Sequence, residues 1–84
     1  MDFIAHIDIM PHEELLDPQG KAVLKNLKNI DVTAASDVRI GKHIVMELKS
    51  DNEDKAKEIV EHACKNLLAN IIMEQYTYRI EEKE

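Results

Sequence analysis

Leu15-Leu16-Asp17-Pro18-Gln19-Gly20-Lys21-Ala22 reads as the start of a helix, and it decides how the rest of the chain is divided. Asp17 can accept backbone N–H groups left unpaired in a first helical turn. Pro18 falls at the first helical position, where its missing N–H costs nothing. Ala22, Val23, Leu24, Leu27 and Ile30 then share about one face, which predicts a helix to about Asn29.

What precedes this start is a separate element. Phe3, Ala5, Ile7 and Ile9 alternate with Ile4, His6 and Asp8, the period of a strand with one strongly apolar face. Pro11, His12, Glu13 and Glu14 break the alternation and form a polar connection. Downstream, Val32, Ala34, Val38 and Ile40 share a face in one extended run and Ile44, Met46 and Leu48 in another. Gly41-Lys42 between them predicts a β-hairpin with positive φ at the glycine. Acidic residues at 51–54 suit a helix N-terminus, and Ala56, Ile59, Val60, Ala63, Cys64, Leu67 and Leu68 follow at helical spacing, with Asn70 as its C-cap. From Ile71 to Ile80, Ile72, Tyr76, Tyr78 and Ile80 fall on one face of a fourth strand, and Glu81 to Glu84 form a charged, solvated tail.

The order is βαββαβ. Right-handed crossovers place both helices on one face of a four-stranded antiparallel sheet, giving a two-layer α+β sandwich. The other sheet face then carries Ile4, His6, Ala35, Val45 and Met73 mixed with Asp37, Arg39 and Glu47. It is too apolar to be fully wetted and too polar for a monomer core, so this face, or the strand edges beside it, is expected to pack against another copy.

Eighty-four residues make one domain, 1–84, of marginal stability alone. A formal charge of −6 argues against nucleic acid or an anionic membrane as partner. The single cysteine, Cys64, excludes an internal disulfide. With no basic leader and no run of about 18 apolar residues, the expected location is the cytoplasm. The four histidines, His6, His12, His43 and His62, show no metal-site spacing. Cys64 sits at core spacing, and the carboxylates fall where capping or solvation explains them. Neither a metal nor a cofactor is implied, and no catalytic set stands out. Val38-Arg39-Ile40-Gly41-Lys42 places two cations about a turn, as a solvated tip or as a contact for an acidic partner surface. The aromatics of an RNA-recognition module and the Cys-x-x-Cys of a metallochaperone are both missing from their places.

Three segments in register carry a resemblance: Leu16-Asp17-Pro18-Gln19-Gly20-Lys21-Ala22-Val23, Val38-Arg39-Ile40-Gly41-Lys42, and Cys64-Lys65-Asn66-Leu67-Leu68-Ala69-Asn70 leading into Glu74-Gln75-Tyr76. Over nearly its whole length the chain resembles the PurS family, the small subunit of phosphoribosylformylglycinamidine synthase. The resemblance implies a non-catalytic subunit in purine biosynthesis, forming a homo-oligomer, a dimer or a tetramer. It would bridge the ATP-using PurL synthetase and the PurQ glutaminase and support ammonia transfer between them.

Carried over, it assigns Asp17, Gln19 and Gly20 to the helix start, Arg39, Gly41 and Lys42 to the hairpin turn, and Asn70 to the approach to the last strand. Arg39 and Lys42 are read as partner contacts, with Asp17, Gln19 and Asn70 as further candidates. Asp17, Pro18, Gly20 and Gly41 also have capping and turn roles, and Ile4, Val45 and Met73 mark the oligomer face. The chain departs from the family where Pro-Val-Ile commonly follows Asn70: here Ile71-Ile72-Met73 would let the strand begin earlier. The Leu-Gly that often ends the first helix is here Lys28-Asn29-Ile30. The runner-up is a stand-alone ACT-like domain binding a small amino acid, although Pro11 to Leu16 lacks the glycine such a loop would carry.

Overall fold

Strand β1 (Asp2–Pro11) lies between β2 (Lys42–Lys49) and β3 (Glu74–Glu82), and both neighbours run antiparallel to it. The structure, a computed structural model, describes residues 1–83. In the register Ala5 faces Met46 and Ile80, and Ile7 faces Ile44 and Tyr78. The alternation read in the sequence therefore lands as expected: Phe3, Ala5, Ile7 and Ile9 are buried, with Ile44, Met46, Leu48, Tyr76, Tyr78 and Ile80 packed around them.

Helix α2 covers this face. Residues Glu53–Ala63 form it, and the Asn52 side-chain oxygen caps it by accepting the Lys55 N–H at 2.9 Å. Ala56, Val60 and Cys64 are its buried stripe. At Cys64 the helix widens into a π-helical turn, Cys64–Leu68, closed by the Ala69 N–H on the Cys64 carbonyl at 3.0 Å. One extra residue per turn shifts the buried stripe by one position. Leu68 consequently packs on the core while Leu67 is 82 % exposed, where α-helical spacing had put both inside.

Three expectations are corrected. The first is the fourth strand. Among the described residues Val32–Ile40 bends at Ala34 and joins no sheet, and the sheet has three strands. Its C-terminal end is tied to the β1–α1 region instead, by the Ile40 N–H on the Asp17 carboxylate and by Arg39 on the Pro11 and His12 carbonyls. Gly41 has no positive φ and turns no hairpin; a Cβ there would stand 2.3 Å from the Ile9 carbonyl oxygen. Ala35, Asp37 and Arg39 accordingly belong to this loop and not to the open sheet face.

The second concerns the last strand, which begins at Glu74 and not at Ile71. The Asn70 carbonyl accepts N–H groups from Met73 at 3.0 Å and Glu74 at 2.7 Å, and its side-chain oxygen accepts from Ile72 at 3.2 Å. Ile71, Ile72 and Met73 are thereby wound into an exposed turn, and Ile72 and Met73 lie on neither strand face. At the other end β3 includes Glu81 and Glu82, and Glu84 lies outside the described residues.

The third is the layer arrangement, because among the described residues only α2 packs substantially on the sheet. Helix α1 (Pro18–Leu27) and its 3₁₀ extension Lys28–Ile30 start as read, with Asp17 at the N-cap and Pro18 in the first turn. Asp31 closes the end at φ 64°. Yet within α1 only Gly20 is buried, and Val23 and Ile30 are exposed. The molecule extends 51 × 29 × 14 Å with a radius of gyration of 16.5 Å. A compact chain of this length would have about 12 Å. Helix α1 and the loop after it form an arm.

Candidate docking junction at the end of the sheet

The arm meets the sheet at one crossing, built around Asp17. One carboxylate oxygen accepts the Gly20 N–H at 3.0 Å and caps α1; the other accepts the Ile40 N–H at 2.8 Å and holds the returning chain. These two bonds, Gly20 first, hold the Asp17 carboxyl below its ordinary value of 3.8, with a further contribution from the Arg39 charge. A Cβ at Gly20 would sit 2.0 Å from the Val38 carbonyl oxygen, so the crossing closes only over glycine.

Arg39 completes the tie. Its guanidinium donates to the carbonyls of Pro11 and His12, both at 2.7 Å, and to that of Glu13 at 3.4 Å. Three consecutive carbonyls leaving β1 are thus gathered by one planar fork, which suits arginine better than lysine.

The Asn70 turn joins from the other side. The His12 N–H donates to the Met73 carbonyl at 3.0 Å, and the His12 ring lies 3.4 Å from the Ile71 carbonyl. Glu74 accepts the Asn70 N–H at 2.8 Å and stands 3.9 Å from the exposed Lys42 ammonium. An open groove of about 430 Å³ runs between the two halves, lined by Asp17, Gln19, Ile40, Asn70, Met73 and Glu74 among others. Leu16, Ile71, Ile72 and Met73 are exposed around it, 70 %, 58 %, 80 % and 48 % respectively. An exposed apolar rim on a small domain marks a docking surface more often than a catalytic one.

The structure therefore brings Asp17, Gln19, Gly20, Arg39, Gly41, Lys42, Asn70 and Met73 to one end of the sheet. Ile4 and Val45 are elsewhere, on the face that α2 leaves open, and Met73 is not with them. There the His6 and His43 rings stack with centroids 5.9 Å apart, and His43 Nδ1 lies 2.6 Å from Asp8 Oδ1. Among the described residues no group of three or more His, Cys, Asp or Glu is arranged to hold a metal. Among the described residues no helix is long and apolar enough to cross a membrane.

One cluster escaped the reading of the sequence. Glu61 of α2 accepts both phenol hydroxyls of β3, Tyr76 at 2.6 Å and Tyr78 at 2.9 Å. Those hydroxyls hold the Glu61 carboxyl low, and the bond to Glu61 pushes Tyr76 up to about 12. Burial, then the Glu61 charge, raises the Cys64 thiol, which leaves it unreactive beneath the cluster. Two tyrosines at i and i+2 did announce a shared strand face; their carboxylate partner lies 15 residues away from the nearer one and left no local signal.

The chain's likeness to known proteins runs over nearly all of its length. The PurS family, described as phosphoribosylformylglycinamidine (FGAM) synthase, matches residues 4–82. The PurS subunit of phosphoribosylformylglycinamidine synthase from Bacillus subtilis is 42 % identical over 71 residues, 83 % of this chain and 82 % of that protein. The Thermotoga maritima subunit is 34 % identical over 73 residues, 87 % and 89 % of the two chains. A crystal form of Bacillus subtilis PurS superposes with a TM-score of 0.85 at 36 % identity, covering 95 % of this chain and 99 % of that one. A chain of the PurLQS structure from Thermotoga maritima gives 0.88 at 32 %, covering 96 % and 99 %. This chain belongs to the PurS family of phosphoribosylformylglycinamidine synthase.

Proposed function

We infer that the chain works as the PurS subunit of phosphoribosylformylglycinamidine synthase in purine biosynthesis, in the cytoplasm, with no catalytic groups of its own. It bridges PurL and PurQ and supports ammonia transfer from one to the other. The observation that carries this reading is the end-to-end match to a chain of the Thermotoga maritima PurLQS structure, a complex whose name joins PurS to PurL and PurQ.

The apolar rim of the junction and the exposed Lys42 ammonium are its surface for the larger subunits. Arg39 shapes that surface through the β1–α1 carbonyls, and Gln19 and Asn70 line the groove. The open sheet face at Ile4 and Val45 serves contact with another copy. The amino-acid-binding alternative is not favoured: both the family and the matched structures are PurS, and the β1–α1 loop, Pro11 to Leu16, has no glycine.

The test is glutamine-dependent amidine formation by purified PurL and PurQ with and without this chain, with free ammonia as the control nitrogen source. Glutamine-driven turnover that needs the chain while ammonia-driven turnover does not is the expected result. Indifference of both overturns the bridging role.

A further inference from the structure

The two helices of the chain carry their charges differently. Helix α2 balances its own. Glu53 and Asp54 stand in its first turn, Lys55 and Lys65 lie 3.2 and 3.7 Å from Asp51 and Glu61 one turn back, and Lys57 has Glu53 and Glu61 four residues to either side. Helix α1 and its 3₁₀ extension have Lys21, Lys25 and Lys28 and no acidic residue from 18 to 30. All three lysines are exposed, and among the described residues none pairs with a carboxylate. Lys21 shares an open hollow with Glu13, Glu14 and Asp37 and pairs with none of them.

Helix stability does not account for the set. Lys25 and Lys28 suit the negative end of α1, but Lys21 closes the first turn, beside the positive end, where a cation is disfavoured. Steps of four and three residues place the three on one side of the helix, roughly opposite Val23 and Ile30. Whatever covers that apolar side leaves the lysines open. With three lysines and no acid at 18–30, the formal charge of −6 leaves −9 on the rest of the chain.

We propose that Lys21, Lys25 and Lys28 form a docking stripe for an acidic protein surface on one of the larger synthase subunits. The inference rests on the subunit reading above and adds a charged contact to its apolar one. Because the chain outside the stripe is net negative, an acidic partner surface is drawn to α1 and turned away elsewhere, which sets the orientation of approach. A long polyanion such as RNA would run past the stripe onto the negative remainder. The Asp17 crossing already fixes the start of α1, so the stripe is presented without being ordered on contact.

The test is the affinity of the full chain for purified PurL and for purified PurQ across a salt series, by biolayer interferometry. The triple variant Lys21→Gln, Lys25→Gln, Lys28→Gln is compared with the unmodified chain, and Lys49→Gln with Lys57→Gln serves as a control for net charge. The triple variant should lose about tenfold or more in affinity for one subunit at low salt and flatten its salt dependence. Its Tm and its sedimentation should match the unmodified chain, and the control should bind nearly as tightly. Unchanged affinity and salt dependence, an equal loss in the control, altered self-association in the triple variant, or binding of single-stranded RNA but of neither subunit would each overturn the proposal. An unmodified chain that supports glutamine-driven turnover while the triple variant binds as tightly overturns this stripe alone; one that binds neither subunit and supports no turnover overturns the subunit reading with it.

Discussion

Asp17 joins the start of α1 to Ile40, more than twenty residues on: one carboxylate oxygen caps the helix at Gly20 and the other accepts the Ile40 N–H at 2.8 Å. Both bonds are made to the ionised form, so the carboxyl titrates below its ordinary 3.8. A group lowered in the folded state contributes stability above its unfolded value and loses it as pH falls through its folded value. Resistance to thermal unfolding should therefore fall from about pH 4 downward. Asp17→Asn should lower Tm at neutral pH and flatten that acid limb; an unchanged acid limb would remove Asp17 from its cause.

Gly20→Ala places a methyl 2.0 Å from the Val38 carbonyl oxygen, a backbone atom with little room to yield. The expected cost is about 1–3 kcal/mol by urea unfolding, as for overpacked sites. Gly41→Ala meets the Ile9 carbonyl oxygen in the same way and should fall in the same range.

Arg39 and Lys42 should separate on mutation. Arg39→Met frees three carbonyls of the β1–α1 loop and should lower stability as well as assembly. Lys42→Glu changes an exposed charge whose nearest partner is 3.9 Å away, and should leave Tm within a few degrees while weakening co-elution with PurL and PurQ on gel filtration. Co-elution unaltered by Lys42→Glu would remove it from the partner surface.

The bond to Glu61 pushes Tyr76 up to about 12, while burial first and then Glu61 raise Tyr78. A phenol raised in the folded state contributes stability below its ordinary 10 and loses it as pH rises toward its folded value, so alkaline unfolding is expected between about pH 10 and 12. Absorbance titration of the phenolates should follow it. Glu61→Gln should bring Tyr76 back toward 10 and Tyr78, which burial also raises, less far, and titration curves identical to the unmodified chain would show that the carboxylate is not the cause.

Much of this was legible in the sequence because the signals are local. Asp17-Pro18 placed the start of α1, period-2 alternation placed β1, β2 and most of β3, and helical spacing placed α2. What was misread depends on partners distant in the chain. Val32 to Ile40 alternates like a strand, but alternation does not say where the neighbouring strand is. Ile71-Ile72-Met73 is apolar enough for a strand, and the hydrogen bonds of Asn70 wind it into a turn. The apolar stripe of α1 was real, yet a stripe does not name what covers it. Arg39 read as a free cation because its three acceptors are backbone carbonyls, which every residue has. The residues proposed for docking were reached through the resemblance of three segments, and folding explains their grouping: all three end at the same junction.

That crossing also bears on the thermodynamics of assembly. A helix on a loose linker would have to be frozen when a partner seized it, and the lost conformational freedom would subtract from affinity. Here the Asp17 carboxylate, the Arg39 fork and the closed contact at Gly20 fix the arm's direction when the chain folds. Whatever grips α1 therefore meets an arm already tied to the end of β1 through the Pro11 and His12 carbonyls.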